Sequence, residues 1–155
     1  MAVNPIPEGY HTVTPYIIIK DAAAAIEFYQ KAFNAEPIGQ LVMPDGTIMH
    51  GEFKIGDSHL MYAEENLDLG MQGPLALGGA AMSVCLYVTD ADAVFAQAIY
   101  SGAEEVRPMQ DQFWGDRAGT VKDPFGHSWT ILSQIEKVSW EQVQERFEDM
   151  YLESE

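Results

Sequence analysis

The sequence contains a single cysteine, Cys85, so no disulfide bond can form within one chain. We therefore expect a reducing compartment, the cytoplasm. Residues 1–10 include Pro5, Pro7 and Glu8 and have no apolar stretch, so we expect no signal peptide. The apolar runs are far shorter than the roughly 20 residues that cross a bilayer. These shortages predict a soluble intracellular protein.

Positive charge is also scarce, with 8 Lys and Arg residues against 24 Asp and Glu residues and a formal net charge of −16. Such a surface repels phosphate backbones and anionic lipid headgroups. We therefore expect neither nucleic acid nor membrane as a partner. Acidity of this kind also keeps a protein soluble.

What the sequence does contain is an internal repeat. Asp21 and Asp90 each follow a β-branched or apolar segment and precede an alanine-rich segment, and Gly46 and Gly115 lie in turns further along. The members of both pairs are 69 residues apart. Because two unlike landmarks share one offset, the repeat predicts two structurally equivalent units.

Each unit is predicted to contain a strand, a helix and three more strands. The first unit has predicted strands at 12–20, 37–43, 47–55 and 59–65, and the second has them at 82–89, 105–110, 117–122 and 128–134. Asp21 and Asp90 are predicted N-caps, and Asn34 and Gly102 are predicted to end the helices.

The predicted fold class is α+β, with two tandem βαβββ modules forming curved mixed sheets and an additional C-terminal helix. A single domain would cover 1–155, with module one at about 12–66, module two at about 80–135 and the helix at about 139–152. Residues 67–79, rich in glycine, would link the modules or form a flap over a pocket. The apolar stripe of the C-terminal helix would pack on its own domain or on a second copy.

Alternation along the strands indicates which face of each sheet covers a helix. Ile17 and Ile19 belong to a uniformly aliphatic set, which suits the helix side. The opposite, mixed sets contain Tyr16 in the first unit and Tyr87 in the second. These mixed faces are predicted to line a cavity.

Two polar groups of residues follow from the same pattern. His50 and Glu52 share one face of the predicted strand 47–55, which faces either water or a pocket. In the segment 111–117, Trp114 could stack on a ligand, while Asp116 and Arg117 could pair with each other or with a polar ligand group. Alternatively, this segment is a structural turn.

The sequence resembles the vicinal oxygen chelate superfamily, which includes glyoxalase I, bleomycin and fosfomycin resistance proteins and extradiol dioxygenases, and within it the PhnB-like branch. The stretches that carry the resemblance are Ala25-Ile26-Glu27-Phe28-Tyr29, Ala32-Phe33, Pro44-Asp45-Gly46, Met49-His50, Ile55-Gly56-Asp57-Ser58, residues 111–117 and Asp123-Pro124-Phe125-Gly126-His127. The resemblance spans about residues 10–138. It implies the glyoxalase/bleomycin resistance fold, a pocket in each U-shaped sheet and a homodimer.

The resemblance also identifies the positions where metal-dependent relatives carry their ligands. In this chain they are Thr14, Ser83, Thr130 and either Leu60 or Met61. None is a good ligand for a catalytic divalent ion. The sequence therefore predicts no metal site at these positions and no cofactor, and the alternative is a divalent ion bound by His50 and Glu52.

Three functions remain open from the sequence. The first is binding of a small aromatic or amphipathic molecule in a metal-free pocket, and the second is a lyase, isomerase or dioxygenase that uses either a metal or His50 and Glu52 as an acid–base pair. The third is a structural or partner-binding dimer. The predicted ligand-binding residues are Tyr16, His50, Glu52, Met61, Tyr87, Trp114, Asp116 and Arg117. No catalytic residue is assigned, with His50 and Glu52 as the candidates.

Overall fold

The computed structural model describes residues 2–154 and contains two modules in sequence. The first consists of β1 (Tyr16–Ile19), α1 (Ala22–Phe33), β2 (Glu36–Val42), β3 (Ile48–Ile55) and β4 (Ser58–Glu64). A short connection follows, with a 3₁₀ turn at Leu67–Leu69 and the helix α2 (Pro74–Leu77). The second module consists of β5 (Ser83–Tyr87), α3 (Ala91–Ser101), β6 (Glu104–Asp111), β7 (Asp116–Lys122) and β8 (Ser128–Gln134), and α4 (Trp140–Glu153) follows it.

The two sheets have the same topology. Their strand orders are β1-β4-β3-β2 and β5-β8-β7-β6. In each sheet the first and last strands of the module run parallel and the other neighbours run antiparallel. The predicted pair of βαβββ modules with mixed sheets and a C-terminal helix is therefore confirmed.

The two long helices of the modules begin and end at the predicted residues. The side chain of Asp21 accepts a hydrogen bond from the Ala24 N–H, and that of Asp90 accepts one from the Ala93 N–H. Asn34 ends α1 with a left-handed backbone, φ 54°. These caps use short polar side chains where the first N–H groups have no partner within the helix.

The first strand is shorter than predicted. β1 begins at Tyr16, whereas the sequence predicted a strand from residue 12. Pro15 precedes it and has no N–H, so its carbonyl alone joins the ladder, by accepting a bond from the Met61 N–H at 2.9 Å. The preceding residues therefore lead up to the sheet without being part of it.

One hydrophobic core lies between the two sheets, and α1 contributes to both sides of it. The Tyr29 ring of α1 stacks on Phe53 of the first sheet at 5.4 Å and contacts Trp129 of the second sheet at 5.2 Å between ring centroids. Both sheets thus turn their aliphatic and aromatic faces toward the helices. The opposite faces of the two sheets lie on the outside of the molecule.

The buried carboxylate of Asp123 connects the modules. It accepts hydrogen bonds from the Tyr29 hydroxyl at 2.6 Å and from the Trp129 indole N–H at 2.9 Å. Its other oxygen accepts the backbone N–H groups of Phe125 and His127. Burial, with the nearby carboxylate, holds the pKa of Tyr29 well above its usual value, so the phenol remains a donor.

The connection between modules is attached to the body of the domain. The Gly73 N–H donates to the Glu65 carboxylate at 2.8 Å, and a Cβ on Gly126 would lie 2.8 Å from Pro74. The structure therefore places this segment against the turn between β7 and β8.

The C-terminal helix has its predicted capping box, in which Ser139 and Gln142 exchange side-chain and backbone bonds. Phe147 contacts Phe113, but Trp140 remains 87% exposed. The apolar stripe of α4 is thus only partly covered within one chain.

None of the helices formed by residues 2–154 combines the length and hydrophobicity that a bilayer crossing requires.

Candidate functional site

The outer face of the first sheet carries four of the predicted ligand-binding residues. Met61 of β4 lies opposite Tyr16 on one neighbouring strand and opposite Glu52 on the other. His50 is two residues from Glu52 and shares its side of β3. The predicted alternation of the strands therefore brings these residues together.

Three of these side chains and Tyr10 form a continuous hydrogen-bonded chain, here called the first polar set. The Tyr16 hydroxyl lies 2.9 Å from His50 Nδ1, and His50 Nε2 lies 3.1 Å from Glu52 Oε1. The Tyr10 hydroxyl donates to Glu52 Oε2. The side chains of His50 and Glu52 are 31% and 26% exposed.

Tyr10 was not anticipated from the sequence. It belongs to the segment before β1 and reaches the sheet because its ring stacks on His59 of β4, with centroids 4.1 Å apart. His59 Nδ1 donates to the Gly9 carbonyl at 2.8 Å, which holds the segment in place. An isolated aromatic residue outside a periodic element gives no signal of such a contact, so only the structure identifies it.

The charge of Glu52 is stabilised within the first polar set. The hydroxyl of Tyr10, and secondarily the ring of His50, lower the pKa of Glu52. In turn, the hydrogen bond to Glu52 raises the pKa of Tyr10 to about 12. At neutral pH the set therefore contains a carboxylate and a neutral phenol.

A second polar set lies on the outer face of the second sheet. Asp116 is buried and accepts hydrogen bonds from the Tyr87 hydroxyl at 2.8 Å and from the Trp114 indole N–H at 2.9 Å. The bond to Asp116 raises the pKa of Tyr87. The hydroxyls of Thr120 and Thr130 lie 2.9 Å apart on the same face.

The side chain of Arg117 lies on the helix side of the second sheet, opposite the second polar set. Its guanidinium donates two bonds to Asp92 of α3, at 2.6 and 2.8 Å, and one to Asp111 at 2.9 Å, which together raise its pKa. The pairing of Arg117 with Asp116, which the sequence left open, does not form because successive residues of a strand face opposite sides. The guanidinium forms its hydrogen bonds with Asp92 and Asp111 instead.

The two polar sets lie on different sheets, each on the outside of one chain. Tyr16 therefore lies on a different sheet from Tyr87 and Trp114, and one chain does not bring these three residues together. A groove of about 970 Å³ runs instead between the segment that precedes β1, the β3–β4 turn and β5. Within residues 2–154, Tyr87 is the one predicted ligand-binding residue that lines it.

The positions that the resemblance marks for metal ligands hold groups that do not suit a divalent ion. The hydroxyls of Thr14 and Ser83 hydrogen-bond to carbonyl oxygens of the chain, and that of Thr130 bonds to Thr120. Met61 offers only a thioether. Within the described part of the chain, no three His, Cys, Asp or Glu side chains are grouped to hold one ion.

Comparison with known proteins now identifies the family. The model of the glyoxalase/bleomycin resistance protein/dioxygenase superfamily matches residues 10–131. The chain belongs to this superfamily. The match covers both modules from the first polar set to β8, which confirms the resemblance drawn from the sequence motifs.

Other proteins are similar to this chain in sequence or in fold. The uncharacterized protein Mb0911c of Mycobacterium bovis is 37% identical over 147 residues, which are 93% of this chain and 94% of that protein. TioX from Micromonospora sp. ML1 has a TM-score of 0.63 at 24% identity, covering 80% of this chain and 98% of its own. A PhnB protein from Bacillus cereus has a TM-score of 0.63 at 18% identity, covering 79% and 99%.

Proposed function

We propose that this protein binds a small aromatic or amphipathic molecule at the outer face of the first sheet, without a resident metal ion. The observation that carries the proposal is the first polar set, an internally bonded chain of polar groups ending at the partly exposed Tyr16. Small-molecule sites combine mainly apolar surfaces with a few such directed groups.

The surroundings of the first polar set suit a ligand with an apolar part. Met61 lies between Tyr16 and Glu52, and Leu41 of β2 lies opposite His50 and is 66% exposed. A flat ring could lie on this surface while a polar atom meets the Tyr16 hydroxyl. The thioether of Met61 would contact such a ring favourably.

We also propose that a second copy of the chain completes the site. In one chain the outer face is open, and Leu41, Val42 and Tyr87 on the two outer faces are more than half exposed. Apolar side chains of this kind on a sheet favour burial against another surface. A homodimer that brings an outer face of one copy over that of the other would convert open faces into enclosed cavities.

Ligand binding can be tested by thermal unfolding in the presence of a library of aromatic natural products. A ligand at about 100 times its Kd stabilises the native state by ~2.7 kcal/mol, which raises the Tm. For each hit, we expect His50→Ala to weaken binding about tenfold, measured by calorimetry. Tyr100→Phe is the control and should leave the affinity unchanged, because Tyr100 is 94% exposed and lies outside the first polar set.

Two results would contradict the proposal. One is a screen in which no aromatic compound raises the Tm of the wild-type protein. The other is a hit whose affinity is the same in wild type, His50→Ala and Glu52→Gln, since this would place the ligand away from the first polar set.

A metal-free acid–base enzyme is a second candidate function. The contact of 3.1 Å between His50 Nε2 and Glu52 Oε1, with a carboxylate that stays charged, favours it. Histidine beside a carboxylate is a common general base. If a hit from the screen is converted, His50→Ala should abolish turnover while binding remains measurable. Conversion that persists in this variant would eliminate the candidate.

A further inference from the structure

The direction of the hydrogen bonds in the first polar set follows from the charge of Glu52. An ionised carboxylate only accepts hydrogen bonds, so His50 Nε2 must carry the hydrogen in the contact of 3.1 Å. In a neutral imidazole the other nitrogen then has a lone pair. When His50 is in this form, its Nδ1 accepts the hydrogen of the Tyr16 hydroxyl, at 2.9 Å.

Both ring nitrogens of His50 are thus hydrogen-bonded within the first polar set, to Tyr16 and to Glu52, and neither is free to bind a ligand. The side chain that remains accessible is Tyr16, which is 45% exposed. Its oxygen donates to His50 and keeps lone pairs that can accept a hydrogen bond from outside. Tyr16 is therefore the end of the chain that meets a ligand, with His50 and Glu52 behind it.

We propose that Tyr16 is the proton-transferring residue of the site and that its ligand is a neutral weak acid with a phenolic or enolic O–H group. The proposal rests on the function proposed above. The ligand O–H passes its proton to the Tyr16 oxygen as the Tyr16 hydrogen moves to His50 Nδ1. The products are a bound phenolate or enolate and an imidazolium, and no other reactant is needed.

The arrangement of residues behind Tyr16 supports this step. The new positive charge on His50 would lie 3.1 Å from the carboxylate of Glu52. The carboxylate would stabilise the imidazolium, as the aspartate of a Ser-His-Asp triad does. Tyr10 holds the second oxygen of this carboxylate. The other titratable group beside Glu52 is His59, whose Nδ1 is held by Gly9.

The charge of the whole chain indicates why the ligand should arrive neutral. A net charge of −16 repels an anion that approaches through solvent, whereas it does not repel a phenol or enol. When the proton is taken up inside the site, the total charge of the complex does not change. The anion is then formed only where the imidazolium can stabilise it.

The test uses 4-nitrophenol, whose phenolate absorbs visible light and whose neutral form does not. At a pH where most of the free compound is neutral, we expect the wild-type protein to increase the visible absorbance on binding. Tyr16→Phe should abolish the increase while a shift in Tm shows that the compound still binds. Glu52→Gln should reduce the increase, and Tyr100→Phe, the matched control, should leave it unchanged.

The outcomes separate this proposal from the proposed function. An increase that is equal in wild type and Tyr16→Phe would overturn the role of Tyr16. Binding of 4-nitrophenol in its neutral form, seen as a higher Tm without absorbance, would overturn proton transfer and leave ligand binding in place. If nitrophenol and every other aromatic compound fail to raise the Tm, the proposed function fails as well.

Discussion

Single side chains on the first sheet control each other's ionisation, and Tyr10 with Glu52 shows the effect most directly. The phenol donates to the carboxylate, so removing the phenolic proton would place two negative charges together. The same bond lowers the pKa of Glu52 and raises that of Tyr10. Tyr10 thus keeps Glu52 ionised, and Glu52 keeps Tyr10 in its neutral, hydrogen-bond-donating form.

We predict that Tyr10 ionises at a pH of about 12, against about 10 in an unfolded chain. Because the folded value is the higher one, the stabilisation by Tyr10 is complete below pH ~10 and is lost as the pH rises through ~12. The measurement is an NMR titration of the Tyr10 ring, assigned by comparison with Tyr10→Phe. In Glu52→Gln the ionisation should return toward ~10, and an unchanged value there would contradict the assigned cause.

The sequence predicts part of the first polar set. Alternation along one strand placed His50 and Glu52 on a single face, and the same reasoning placed Tyr16 with them. It could not include Tyr10, because a residue outside a periodic element has no face to predict. For Arg117 the sequence left several partners open, and the choice of Asp92 depends on how α3 packs.

Among the elements, the turns at Gly46 and Gly115 form a matched pair. Both glycines have positive φ, 89° and 99°, which disfavours any residue with a Cβ. They differ in their surroundings. A Cβ at Gly46 would meet open space, whereas one at Gly115 would lie 2.5 Å from the Glu136 carbonyl oxygen and 2.8 Å from Val138.

We predict that Gly46→Ala lowers the free energy of unfolding by about 1 kcal/mol, the approximate cost of a left-handed backbone. Gly115→Ala should lower it by at least ~1 kcal/mol more, because the chain leading to α4 must also shift. Urea unfolding followed by tryptophan fluorescence measures both values. Equal losses in the two variants would show that the contact with Glu136 has no energetic weight.

The boundaries of the elements were predictable where caps or turn residues mark them. Asp21, Asp90 and Gly102 lie at the predicted helix ends. β1 was overestimated because residues 12–14 are β-branched or polar in a pattern that suits a strand, while Pro15 interrupts the ladder. Local composition shows that a segment can adopt an extended conformation. It does not show where the neighbouring strand ends, and this determines where the pairing begins.

For the whole molecule, the decisive feature is that the helix-side face of each sheet packs on the helix of its own module, and that α1 and α3 contact each other. The pattern of residues showed which face of each sheet is apolar. It did not show that Phe53 of one sheet and Trp129 of the other contact the same tyrosine, Tyr29. Periodicity identifies a face and not the surface that it meets, so the sequence could not show that Tyr16 lies on a different sheet from Tyr87 and Trp114.

We predict that the homodimer proposed above associates more tightly as salt increases. Each chain carries a net charge of −16, so two copies repel one another. The screening length falls from about 30 Å at 0.01 M to about 8 Å at 0.15 M salt. Sedimentation at several concentrations measures the dissociation constant at each salt level. A species of 17.2 kDa at every concentration and salt level would contradict the dimer.

The position of Asp123 couples the unfolding of the two modules, here called halves. Asp123 of the second half accepts the Tyr29 hydroxyl of the first half, so opening of the first half would remove a donor from this buried carboxylate and would break the ring contact between Tyr29 and Trp129. The halves should therefore unfold in one cooperative transition. The indole hydrogen of Trp129 should then exchange with solvent deuterium only through global opening, as slowly as the best protected amides of the chain.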